Sequence, residues 1–249
     1  MPALDTNFSG ADFWREPRCR YNGWVMSNHA YVSIWCKDFS EPRILEQFGA
    51  LLATVPFSAT APGFDYLVVR AVDATESPIL EQDLRAVPLD ANSVIELAKD
   101  HLNNDSAYEV RTGWDLWTYD EALGRWQLQP QPLEVFCYGE DYDDGYWREF
   151  GHLEIDLGFE HFFTGHGGVL GFRHGEKANP ASAEEKRFLE AMERPENLRN
   201  YQEKTTENIR RLLEWVRRIE KGVPIERLKM WSEGEENFES RIEEILAAR

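Results

Sequence analysis

YEVRTGWDLWTY (residues 108–119), DEALGR (120–125), WQLQ (126–129) and LEVFCY (133–138) together decide the fold. The first reads as a strand, the second as a turn, the third as the returning strand and the fourth as the start of another. Strands joined by short turns build antiparallel sheets. Trp114 and Trp126 are expected to face each other across this hairpin, because cross-strand aromatic pairs stabilise a sheet.

Working upstream, GWVMSNHAYVSIWC (23–36) is rich in β-branched and aromatic residues and reads as a strand bulged near Ser27–His29. Ser40 is placed to cap a helix whose Ile44, Leu45, Phe48, Leu51, Leu52 and Val55 recur at helical spacing, and Pro56 ends it. FDYLVVRAV (64–72) is a second strand, followed by a turn-rich segment, and Asp90 precedes a helix carrying Val94, Ile95, Leu97, Ala98 and Leu102. Downstream of the hairpin, the acidic loop GEDYDDG (139–145) leads into a strand over 147–157.

After Pro180 the pattern changes. Ser182 and Glu185 form a capping box, Pro195 suits the first turn of a long helix, and Gly222 stops it. Leu198, Tyr201, Thr205, Ile209, Leu212, Val216 and Ile219 share one face of that helix. Pro224 is expected to start a brief helix through Met230, and Ser232 with Glu235 to cap a closing one.

The expected class is therefore α+β: a mostly antiparallel sheet with two helices in the first ~180 residues, then an all-helical C-terminal segment. The expected divisions are an irregular arm (1–22), an acidic α+β domain (23–180) and a helical extension (181–249) that packs on the domain or serves association. The oligomeric state is not legible in the sequence.

Charge is distributed unevenly. Residues 73–160 hold 21 Asp and Glu against 5 Lys and Arg, almost the whole of the net charge of −18. Such a field repels nucleic acid and anionic lipid and attracts basic proteins or cations. Cys19, Cys36 and Cys137 have no metal-like or redox spacing, and the charged first twenty residues do not read as a signal peptide. No stretch has the length of apolar sequence that a membrane span needs. The expected compartment is the cytoplasm.

Two sets of residues could carry function. Glu140, Asp141, Tyr142, Asp143, Asp144, Tyr146 and Trp147 combine clustered carboxylates with aromatics, as a contact patch for a basic partner would. Counted from Asp141, this loop does not match a calcium loop, since Gly145 falls at position 5 and His152 at position 12.

In the second set, a strand phase that buries Leu153, Ile155 and Leu157 turns His152, Glu154 and Asp156 to the opposite face. Joined by His161 or His166, they could hold one divalent transition metal. Any half-exposed strand shows the same alternation, and no H-E-x-x-H spacing supports it. The glycine-rich segment 164–171 matches neither a phosphate loop nor a dinucleotide loop, no nucleophile motif is present, and none of these motifs carries a family signature.

The expected function is a non-enzymatic acidic binding protein without cofactor: an inhibitor, an immunity-like protein or an adaptor facing a basic protein. The alternative is a metal-dependent, hydrolase-like enzyme using the cluster at 152–166. A third possibility is that the acidity serves solubility alone.

Overall fold

In chain order the elements are strands β1 (Arg20–Tyr21), β2 (Trp24–Val25) and β3 (His29–Cys36), helix α1 (Ile44–Leu52), strands β4 (Tyr66–Ala71) and β5 (Leu80–Asp83), and helix α2 (Ala91–Ala98). The long strands β6 (Ser106–Asp120) and β7 (Arg125–Tyr138) follow, then α3 (Trp147–Phe150), β8 (Leu153–Phe159), α4 (His161–Thr164), α5 (Ala183–Met192), α6 (Pro195–Gly222), β9 (Ile225–Ser232) and α7 (Phe238–Ala247). The computed structural model describes residues 20–21, 24–25, 28–120, 123–166, 169–170, 183–192 and 194–247. Most of the expected arm (1–22), together with His174 and Ser182, lies outside them.

Seven strands form one antiparallel sheet in the order β5-β4-β6-β7-β8-β3-β9. The class is α+β, with a C-terminal part dominated by α6 and α7. Strand alternation sends Ala30, Val32, Ile34, Leu67, Val69, Val110, Leu133, Val135, Leu153 and Ile155 to one face. Side chains of α1, α2, α4, α6 and α7 fill the same core from above. Trp114 sits there against Trp215 and Phe163, with ring centroids at 5.6 and 5.9 Å. These five helices thus cover one face of the sheet, and its other face carries the polar groups together with α3, whose Trp147 and Phe150 lie against His152 and Trp231.

Several expectations need correction. WQLQ and LEVFCY are one continuous strand, β7, running through Pro130 and Pro132. Those prolines lie two apart, so their missing N–H groups face one edge, and β8 pairs only with Glu134–Cys137. Trp126 lies opposite Tyr119 and Trp114 opposite Gln131, so the two tryptophans do not pair with each other. The strand expected over 147–157 begins only at Leu153, as β8, and Trp147–Phe150 is the short helix α3. Ser40 makes no side-chain cap, whereas Asp90 accepts the Ser93 N–H as expected.

The largest correction concerns 224–232, an edge strand paired with β3 and not a helix. Leu228 and Met230 pack toward the core while Arg227, Lys229 and Trp231 take the alternate positions, a strand period of two. Ser232 Oγ accepts the Glu235 N–H, but α7 begins at Phe238, where Asn237 Oδ1 accepts the Ser240 N–H.

Candidate partner-binding face

The open face of the sheet is organised by register. Tyr66, Arg111, Glu134, Asp156, Tyr31 and Trp231 stand opposite one another across β4, β6, β7, β8, β3 and β9. The next row holds Val68, Glu109, Phe136, Glu154, Ser33 and Lys229. Arg70 Nη1 reaches Glu109 at 3.2 Å, and Arg111 reaches both Glu109 and, at 3.3 Å, Glu134.

His152, Glu154 and Asp156 do share this face, as the strand phase required. They do not share a point. A strand rises about 3.3 Å per residue, so His152 and Asp156 are separated by about 13 Å along β8. His152 is stacked between Phe39 and Trp147, at 4.1 and 4.3 Å, and its Nδ1 accepts the Cys36 N–H at 3.0 Å. Its Nε2 is buried and finds no partner among the described residues; burial pushes this histidine down to about 4.

Glu154 accepts the Tyr138 hydroxyl at 2.9 Å. Asp156 faces His29 Nδ1 at 2.8 Å and accepts the Gly158 N–H at 2.8 Å. His161 and His166 lie past the far end of β8, with rings 6.0 Å apart. Burial pushes His161 down to about 3, with His166 and His29 adding repulsion. Among the described residues no three His, Cys, Asp or Glu side chains converge as a metal ion requires.

The His29–Asp156 pair was not found by sequence reasoning. Asp156 orients the imidazole, and Glu134 and Glu154 stand beside the pair on the same face. Burial opposes protonation of His29, but the Asp156 hydrogen bond and charge, with Glu233 and Glu134, outweigh it and raise its pKa. Glu134 and Glu154 are both pushed up to about 7, chiefly by burial, with repulsion from Asp156 contributing. The signal was present: His29, Tyr31, Ser33 and Trp35 alternate with Ala30, Val32 and Ile34 along β3.

The acidic loop meets two others at one end of the sheet. The Asp143 N–H donates to Val72 O at 2.7 Å, the Asp141 N–H to Asn104 O at 2.9 Å, and the Val72 N–H to Asp105 O at 2.9 Å. Asn104 Nδ2 adds a bond to Asp141 Oδ2 at 2.8 Å. Residues 72–79, 102–105 and 139–145 are thereby tied into one corner holding Asp73, Glu76, Asp105, Glu140, Asp141, Asp143 and Asp144, with no Lys or Arg. Asp141, Asp143 and Asp144 are exposed. Asp143 and Asp144 adopt left-handed backbone (φ 47° and 53°), which aspartate and asparagine tolerate better than most side chains.

Tyr142, Tyr146 and Trp147 line up behind the carboxylates. Tyr142 is buried beside Tyr138 (rings 5.9 Å apart, stacked), Tyr146 stacks on Phe150 at 4.4 Å, and the Trp147 indole donates to Glu140 O at 3.1 Å. Between these rings and β4, β6 and β7 lies a cleft of about 280 Å³. All seven residues expected to form the contact patch thus fall in one region. Asp73, Glu76 and Asp105 belong to it too, and sequence reasoning missed them.

Among the described residues no helix is long and apolar enough to cross a membrane. No protein-family model, curated protein or solved structure matches the chain.

Proposed function

We propose that this chain is a non-enzymatic binding protein of the cytoplasm, acting as an inhibitor, immunity-like protein or adaptor. Its acidic corner captures a basic protein surface. The observation carrying this reading is the corner itself: seven carboxylates on three hydrogen-bonded loops, with no Lys or Arg among them. Clustered charge of one sign steers an oppositely charged partner and accelerates encounter, and the same field repels nucleic acid. The aromatics behind it supply the apolar contact that turns encounter into residence.

A metal-dependent hydrolase fits these residues less well, because among the described residues its candidate ligands do not converge on one point, and Glu154 and Asp156 are engaged by Tyr138 and His29.

The test compares the protein with an Asp143→Asn/Asp144→Asn variant, which removes charge while keeping side chains suited to left-handed backbone. Each is immobilised and exposed to extract from its own host. A basic protein retained at about 0.01 M ionic strength, released toward about 0.15 M, and poorly held by the variant is the expected result, since screening shortens from about 30 to about 8 Å over that range. Retention indifferent to both salt and substitution, or no basic protein retained, refutes the reading.

A further inference from the structure

The cleft beside the acidic corner has a specific chemistry. Its walls are Phe136, Tyr138, Tyr142 and Tyr146, with Glu109 and Arg70 on the sheet side and Ala74 and Asp143 also lining it. Phe136 and Tyr146 are half-exposed and present ring surface, while Tyr138 and Tyr142 are buried behind them. At about 280 Å³ it falls just below the ~300 Å³ at which drug-sized ligand sites begin, so its size suits one side chain.

The charge around it is negative. Asp143 and Asp73 act on the Tyr142 hydroxyl and Arg70 opposes them, while Glu109, which also acts on it, is held by Arg70 and Arg111. Arg70 is itself held by Glu109 at 3.2 Å, so it is not free to receive an anion. Aromatic faces beside the exposed Asp143 carboxylate select a cation, and a planar guanidinium stacks on rings and pairs with carboxylates better than a compact ammonium.

We propose that this cleft is the specificity pocket of the anionic face and takes one arginine side chain of the basic partner, stacked on Phe136 and Tyr146 and paired with Asp143. The inference rests on the binding reading above and deepens it. The acidic corner gives attraction to any basic surface, and the cleft gives preference for arginine over lysine.

The experiment titrates the full chain with tetra-arginine amide and tetra-lysine amide at low ionic strength, by calorimetry. The arginine peptide is expected to bind about tenfold more tightly than the lysine peptide, the size of a cation–π gain. Ala74 is exposed at the cleft, so Ala74→Leu obstructs the space without disturbing the core. This variant should bind both peptides alike, at the affinity of the lysine peptide. Tyr146→Phe keeps the ring and should keep the preference. If both peptides bind equally to the unmodified chain, or if Ala74→Leu retains the arginine preference, the pocket assignment is wrong while the acidic-corner reading stands. If neither peptide binds, both fail.

Discussion

Replacing Glu154 by glutamine isolates the energetic cost of carrying a carboxyl group on the open face. Glu154 is only 5% exposed, lies opposite Ser33 and Phe136, and is raised from 4.5 to about 7 chiefly by burial, with Asp156 adding repulsion and the Tyr138 hydroxyl bond opposing. A folded-state pKa above the unfolded value means the native state binds the proton more tightly. The stability this contributes is complete below pH 4.5 and is lost as pH rises through about 7. Each tenfold difference in proton affinity between folded and unfolded chain is worth about 1.4 kcal/mol, so the loss is about 3 kcal/mol by pH 8. Glutamine keeps an acceptor for Tyr138 and cannot ionise, so the variant escapes that loss.

The stability difference, variant minus parent, should therefore rise by about 3 kcal/mol between pH 4.5 and pH 8, or about 6–12 °C in Tm for a chain of this length. Denaturant and thermal unfolding followed by tryptophan fluorescence at pH 4.5, 6, 7 and 8 measure it. Taking the difference at each pH cancels the titrations of Glu134, His29 and His152, which both proteins share. A difference that stays flat across this range would refute the reasoning, since a buried carboxyl that does not resist ionisation makes no pH-dependent contribution.

Asp156→Asn should lower the pKa of His29 and bring Glu134 and Glu154 down toward ordinary carboxylate values, because Asp156 raises all three; an NMR titration of His29 unchanged by the substitution counts against the pair. Asn208 is buried on α6, where Oδ1 accepts the Trp117 N–H at 2.8 Å and Nδ2 donates to Trp117 O and Phe162 O at 3.0 and 3.2 Å. Asn208→Leu leaves those groups unpaired and should cost about 3 kcal/mol or more in unfolding measurements, against less than about 1 kcal/mol if the contacts are incidental.

The parts of the fold legible in the sequence are those with long, regular periodicity. The stripe from Leu198 to Ile219 gave α6 between Pro195 and Gly222, Asp90 marked the start of α2, and Leu153, Ile155 and Leu157 gave the correct phase of β8. Short segments failed for a physical reason. IERLKMWS offers few apolar residues, and Pro224 is as compatible with entry into a strand as with a first helical turn, so pairing with β3 decides its form. The candidate site divides in the same way. The carboxylates of 139–145 are adjacent in sequence and were found; His29 meets Asp156 across 127 residues, and Asp73 and Asp105 reach the acidic corner only when three loops fold together.

The spatial arrangement of charge bears on whether acidity serves solubility alone. Solubility responds to net charge and gives no reason for its position. Here the N-terminal 72 residues carry 7 acids against 6 bases and the C-terminal 69 carry 16 against 14, so much of the chain is nearly neutral. On the open face, where Glu134 stands opposite Asp156, an arrangement unfavourable in itself, each has a basic side chain beside it: Arg111 for Glu134 and, for Asp156, His29, whose pKa is raised. The corner formed by 72–79, 102–105 and 139–145 has no such Lys or Arg within its loops. Carboxylates that face one another across the sheet thus have basic side chains beside them, whereas the three loops that meet solvent beside the aromatic cleft hold no Lys or Arg of their own, and Arg148 of α3 reaches the corner at the Asp144 carbonyl oxygen, at 2.8 Å. A diffuse requirement for charge does not account for that contrast. The basic partner proposed above would supply positive charge there.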